Sequence, residues 1–262
     1  MINVHLVQQY VMHYFKALRR GHGVHSPFAY KLCEEVFYNQ HPFYHFEELS
    51  NLRQLIADDE TEITMEDFGA GSKVLKNPKR KIKHIAKIGI SSQQQSELLY
   101  RLINFTNASN CLELGTSIGL NTLYLAKAGK QTEITTIDAC SDLVKYASQL
   151  AKKNKVNNVQ FIHAPFDSVL PDLLSKNKYD FIYIDGNHTY EATMRYFGWI
   201  AHSAPEHCVI VFDDIFWSSG MTEAWNQIKQ HQKVSLSINL FYMGIVFFKP
   251  ELKQKVHLDL FI

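Results

Sequence analysis

From about residue 91 onward, β-like apolar runs alternate with helix-length segments, and this alternation limits the possible folds more than any single motif does. Strands are expected at 111–115, 133–138, 159–163, 179–185, 208–214, 234–240 and 244–249. The segments between the first five are long enough for the crossovers that join parallel neighbours. Only Phe241, Tyr242 and Met243 separate the last two, which therefore form a hairpin. The expected fold class is α/β: a Rossmann-like, seven-stranded, mostly parallel sheet with an antiparallel last strand, helices on both faces and an N-terminal helical extension.

Residues 1–89 read differently. Val4, Val7, Tyr10, Val11, Tyr14, Phe15 and Leu18 recur at intervals of three and four, giving one apolar stripe on a helix that ends near Arg19-Arg20-Gly21. Such a stripe is expected to dock on the body of the protein. A connector containing His22, His25 and Ser26 follows, then helical patterns through Phe28, Leu32 and Val36 and around Phe46, Leu49 and Ile56. Alternation over 63–68 predicts a short strand running into Gly69-Ala70-Gly71-Ser72, a tight turn closing a lid rather than a phosphate cradle, since a basic, proline-containing stretch follows it. Residues 1–89 are thus expected to form a lid, substrate or dimerisation region, and residues 90–262 the α/β domain.

Apolar residues make up 46% of the 262-residue chain and charged residues 20%, which suits a globular protein with a sizeable core. The formal charge of +1 gives no reason to expect nucleic acid or a membrane as partner. One local exception is the run Lys76, Lys79, Arg80, Lys81, Lys83 and Lys87, read as a solvated basic face. Cys33, Cys111, Cys140 and Cys208 form no CxxC pair and read as reduced packing residues. With no signal-peptide core and no spanning-length apolar stretch, the expected location is cytoplasmic.

In an open parallel sheet, ligands bind beyond the carboxyl ends of the strands. Polar residues collect there: Glu113 to Gly119 close the first strand, Asp138 the second, Asp185 the fourth, and Asp213 and Asp214 the fifth. Gly115 and Gly119 allow a sharp turn and close backbone approach, while Thr116, Ser117 and Asn121 offer polar contacts. Asp138 lies 23 residues after Gly115, a spacing that puts a carboxylate at the neighbouring strand end, where it can accept both ribose hydroxyls. Gly115 is followed by Thr116-Ser117, so the GxGxxG of nicotinamide dehydrogenases is absent.

Leu112-Glu113-Leu114-Gly115-Thr116-Ser117-Ile118-Gly119 resembles motif I of the class I S-adenosylmethionine-dependent methyltransferases. Asp185-Gly186-Asn187-His188-Thr189-Tyr190 and Val211-Phe212-Asp213-Asp214 resemble the metal-binding segments of catechol-type and macrocin-type sugar O-methyltransferases, and the resemblance spans roughly residues 90–250. It implies a cofactor site at Glu113, Gly115, Thr116, Ser117, Gly119, Asn121, Asp138, Asp185 and, bordering adenine, Ala164 and Phe166. It also implies a metal site at Asp185, Asp213 and Asp214, where oxygen donors suit Mg²⁺ or another hard divalent cation. The implied activity is transfer of a methyl group to a small hydroxylated molecule, with a homodimer as one possible assembly.

Catechol-type relatives carry a lysine base where His188 stands, and sugar-type relatives an aspartate where Asn187 stands. His188, with Asp185, is therefore the catalytic candidate here, an imidazole able to take a proton near neutrality. A chain that keeps the fold and the cofactor but serves only to bind a partner remains the alternative. Trp217, on the loop after the aspartate pair, is the candidate substrate wall, whereas Trp225 falls in a helical stripe with Ile228 and reads as core.

Overall fold

The computed structural model describes residues 3–65 and 79–262; the Gly69–Ser72 turn and Lys76 lie outside the described residues. In chain order the helices are α1 Val4–Lys16, α2 Pro27–Leu32 running into a π-helical turn, α3 Tyr44–Ala57, α4 Ile82–Ile88, α5 Gln93–Thr106, α6 Leu120–Lys127, α7 Ser141–Lys153, α8 Phe166–Lys176, α9 Tyr190–Ser203 and α10 Ser219–Gln230. The strands are β1 Leu18–Arg19, β2 Glu62–Thr64, β3 Lys79–Lys81, β4 Asn110–Leu114, β5 Glu133–Asp138, β6 Val159–His163, β7 Phe181–Ile184, β8 Val209–Asp213, β9 Leu236–Asn239, β10 Met243–Phe247 and β11 Val256–Phe261. No described helix is long and apolar enough to cross a membrane.

The chain forms two compact units, Met1–Asn39 with Leu170–Ile262, and Gln40–Val169. Residues 1–39 belong to the first unit and residues 40–89 to the second. In the second unit β4, β5 and β6 pair in parallel, and β2 and β3 form a separate antiparallel pair. In the first, β7 and β8 run parallel, β10 lies antiparallel between β8 and β9, and β11 and β1 extend the edge in parallel. The architecture is the Rossmann-like α/β fold expected, with β10 as its antiparallel strand. The seven expected strands lie within two residues of β4 to β10, and β11 and β1 are additions.

Local sequence chemistry explains the helix starts. Ser92 and Gln95 form a capping box at α5, Ser26 caps α2 ahead of Pro27, and Thr189 and Ser218 cap α9 and α10, so amides with no partner inside the helix find one. β7, β8 and β10 are buried along their whole length, which is why they read as continuous apolar runs rather than alternating ones. All four cysteines are free and buried. Trp225 is core, as its helical stripe indicated.

One expectation is overturned. The apolar stripe of α1 faces solvent: Val4 is 75% and Phe15 80% exposed, and Val7, Val11 and Tyr14 are exposed with them. The opposite, more polar face docks instead. His13, 5% exposed, donates from Nε2 to the Leu260 carbonyl at 3.0 Å, and His5 meets Thr222 at 2.9 Å; of the stripe itself, Tyr10 at its edge packs against Phe241 with ring centroids 5.1 Å apart. The periodicity is a true helix signal, but His13, which reaches a buried carbonyl, and His5, which bonds half-buried Thr222, reverse the side that packs.

Two glycines give opposite predictions. A Cβ on Gly244, in the middle of β10, would stand 2.7 Å from two ring carbons of Trp225, so Gly244→Ala should destabilise by about 1–3 kcal/mol in urea unfolding. A Cβ on Gly198 would meet nothing within 4 Å in α9, so Gly198→Ala should stabilise by about 1 kcal/mol through helix propensity.

Candidate functional site

Within the Gln40–Val169 unit, the chain leaves β4 through a turn held almost wholly by the end of β5. The amides of Gly115 and Thr116 both donate to the Ile137 carbonyl, at 2.9 and 3.2 Å, and the Ser117 amide donates to Asp138 Oδ2 at 2.9 Å. Gly115 (φ 112°) and Gly119 (φ 79°) occupy the left-handed half of backbone space, and the Gly119 amide closes the turn on the Thr116 carbonyl at 2.9 Å before α6 begins. Gly119 is also tight against α7: a Cβ there would lie 2.6 Å from that of Ala147.

Asp138 is half-buried, faces this turn and accepts the Cys140 amide on its other oxygen at 2.9 Å. Burial raises its pKa, and the two amides pull it back part of the way. A carboxylate accepts about four hydrogen bonds, so acceptor capacity remains beyond these amides. Asn121 donates to Ser91 Oγ at 3.0 Å, leaving its buried carbonyl oxygen without a hydrogen-bond partner. An unfilled acceptor there suits a ligand donor such as an ammonium group.

Glu113 and Thr116 lie deeper. Glu113 is fully buried and its Oε2 accepts from Thr122 at 2.5 Å and from Thr136 at 2.7 Å. With its proton spent on Glu113, the Thr136 hydroxyl accepts from Thr116, 2.6 Å away, and Thr116 is only 2% exposed. These residues brace the turn from beneath rather than line it. Ala164, whose amide donates to the Asp138 carbonyl at 3.0 Å, and Phe166 are half-buried just after β6. Ser91 and Gly89, whose carbonyl accepts from Ser117 Oγ at 3.4 Å, join the loop without any chemical signature in the sequence beyond lying just ahead of α5.

The Met1–Asn39 and Leu170–Ile262 unit holds a cluster of acids. Asp185 follows β7 and accepts the Tyr183 hydroxyl at 3.1 Å, while His188 Nε2 stands 3.5 Å from its other oxygen. Asp213 ends β8, nearly buried, with its Oδ1 lacking a hydrogen-bond partner. Asp214 adopts a left-handed conformation (φ 53°), and its amide donates to the Tyr242 carbonyl at 2.8 Å. Burial, then the charges of Asp185 and Asp214, hold the Asp213 carboxyl well above the usual carboxylate range. Burial also raises Asp214, although His188 opposes it. For His188, burial lowers the pKa, but the bond to Asp185 and the charges of Asp185 and Asp214 outweigh it and leave it raised. Tyr242, half-buried beside Asp213, is pushed up as well and was not foreseen from its hairpin position.

Asn187 turns away from this cluster, donating to the Tyr196 hydroxyl at 3.1 Å. Among the described residues no group of three or more His, Cys, Asp or Glu side chains is arranged to hold a metal ion. The excess negative charge and the unfilled Asp213 oxygen nonetheless fit a cation or a proton, since such carboxylates cannot all ionise side by side without one.

Residues 112–215 match the family model described as a methyltransferase domain. The chain is 28% identical over 132 residues to a catechol O-methyltransferase of Mycobacterium tuberculosis, a match covering 50% of this chain and 59% of that relative's length. Among solved structures, the O-methyltransferase of Bacillus cereus in complex with SAH superposes with a TM-score of 0.55 at 17% identity, covering 80% of this chain and 94% of that one. An SAH-bound methyltransferase of Podospora anserina gives a TM-score of 0.55 at 15% identity, covering 80% and 99%. The chain shares the fold of these methyltransferases, and the match to the methyltransferase-domain model falls within it, over residues 112–215.

The acid cluster predicts a stability effect of definite sign. Because the Asp213 pKa is raised by folding, stability falls as pH rises from the unfolded carboxylate value through the native one. Asp213→Asn, which carries no such charge, should raise Tm in metal-free buffer at neutral pH, and the gain should shrink on acidification; a lower Tm at neutral pH would refute this account.

Proposed function

We propose that this chain transfers the methyl group of S-adenosylmethionine to the hydroxyl of a small molecule. The observation that carries the reading is Asp138, a carboxylate tied by the Ser117 amide to the turn after β4 and retaining acceptor capacity at the end of β5. In this reading Asp138 holds the ribose hydroxyls, Ser117 and Asn121 contact the methionine portion, the two glycines admit it, and Ala164 and Phe166 border the adenine.

The reaction is an in-line displacement: the sulfonium–methyl bond breaks, an oxygen–methyl bond forms, and S-adenosylhomocysteine leaves with the electron pair on sulfur. The acceptor's proton must go to a base. His188 suits that role because Asp185 orients its ring through Nε2, leaving Nδ1 to accept, and because its raised pKa strengthens it as a base. Asp185, Asp213 and Asp214 are the residues that would hold a hard divalent cation such as Mg²⁺, which when bound supplies positive charge that eases ionisation of the acceptor hydroxyl. Trp217, 55% exposed on the loop after the aspartate pair, is the candidate wall for the acceptor.

Titration calorimetry with S-adenosylmethionine should show binding by the wild type and at least about a tenfold loss, some 1.4 kcal/mol, in Asp138→Ala. No heat from the wild type would end this reading. With an acceptor found by screening small hydroxylated molecules for labelled methyl uptake, the rate should climb with pH through the His188 pKa. That limb should move to lower pH in Asp185→Asn, since Asp185 holds the histidine up, and should vanish in His188→Gln. A limb unchanged in both variants would remove His188 from the mechanism, and rates indifferent to chelator would remove the cation.

A further inference from the structure

The outward face of α1 is unusual because it is both apolar and set in a cationic stretch. Val4, Val7, Val11 and Phe15 form a stripe along a helix about 20 Å long, with Tyr14 beside it and Trp217 held close by, its carbonyl accepting from Asn3 at 3.3 Å. Residues 3–30 carry Lys16, Arg19 and Arg20 and no aspartate or glutamate, while Lys31 beyond them is paired with Glu35 at 3.6 Å. The whole-chain charge of +1 conceals this local excess.

We propose that this face docks peripherally on an anionic lipid bilayer. A helix lying in the interface buries valines and aromatic rings among the acyl chains, and cations at its end stay with the headgroups. An exposed tryptophan at the rim suits the same boundary. The charge distribution selects this occupant over a second copy of the chain: pairing two α1 helices would bring together stretches that carry Lys16, Arg19 and Arg20 and no acid of their own, whereas anionic headgroups complement those cations. The inference does not depend on methyl transfer, and its test needs no cofactor.

The test is cosedimentation of the full chain with vesicles of phosphatidylcholine alone and of phosphatidylcholine mixed with phosphatidylglycerol. Binding is expected to the mixed vesicles only and to weaken in high salt. Val11→Glu with Phe15→Glu, both outward and so checked for an unchanged thermal melt, should cut it by at least about tenfold. Lys16→Gln with Arg20→Gln should weaken it by roughly tenfold or more. Independently of any surface-charge variant, the mixed vesicles should shift tryptophan emission to the blue in the wild type and not in Trp217→Phe. Absence of binding to the mixed vesicles, or binding that Val11→Glu with Phe15→Glu leaves intact, overturns the proposal. So does a sedimentation-equilibrium dimer that this double variant dissociates while vesicles go unbound, since the face would then serve a second copy.

Discussion

Where the chain leaves β4, consecutive amides emerge with no strand to receive them, and unpaired amides at a half-buried position cost too much to leave unfilled. β5 supplies the answer: the Ile137 carbonyl takes two of them and the Asp138 carboxylate a third. The remaining features of that end follow. The turn can be this tight only with glycine at 115 and 119, α6 can start only after it closes, and α7 can pack so near only because Gly119 lacks a side chain. Beneath it, the fully buried Glu113 is tolerated because threonine hydroxyls donate to it, a polar network bracing strand end and helix together. In the proposed reading, structure and ligand recognition draw on the same residues, because the carboxylate that fastens the turn is the one assigned to the ribose.

The acid cluster works on the contrary principle. There the fold leaves a charge problem unsolved, crowding Asp213 against Asp185 and Asp214 with one imidazole nearby. Well-packed structural sites rarely keep such an imbalance, because each raised carboxyl subtracts from stability at neutral pH. A cluster that costs the folded state something, lying at the ends of β7 and β8 where α/β sheets bind ligands, is what supports the proposed catalytic role. The raised pKa of His188 is the same imbalance seen from the one base present.

Much of this was legible in the residues. The strands β4 to β10 announced themselves as apolar runs of the right length, and Asp138, Asp185, Asp213 and Asp214 by closing those runs. What the spacing could not reveal was depth. Glu113 and Thr116 sit in the same motif as Ser117, yet both are buried, Glu113 in a strand covered on both faces and Thr116 in the turn after it, a depth that spacing along the chain does not carry. β11 escaped notice because its alternation lies far along the chain from β9, with which it pairs, and β1 because two residues carry no periodicity.

The reversal of α1 shows why an apolar stripe is evidence of a helix and not of the side that packs. Burying a histidine costs little if it stays neutral and donates a hydrogen bond, and His13 meets both conditions, since burial lowers its pKa and the Leu260 carbonyl accepts from its Nε2. Edge contact between Tyr10 and Phe241 and the His5–Thr222 bond complete the seat. A valine face packed there would have left the Leu260 carbonyl without its imidazole donor, so specific polar bonds decided the orientation against bulk hydrophobicity. Leaving Val4, Val7, Val11 and Phe15 in water is a cost the isolated chain bears and an apolar surface would relieve. The same rotation of one helix that satisfies a buried carbonyl thus creates an exposed apolar ridge.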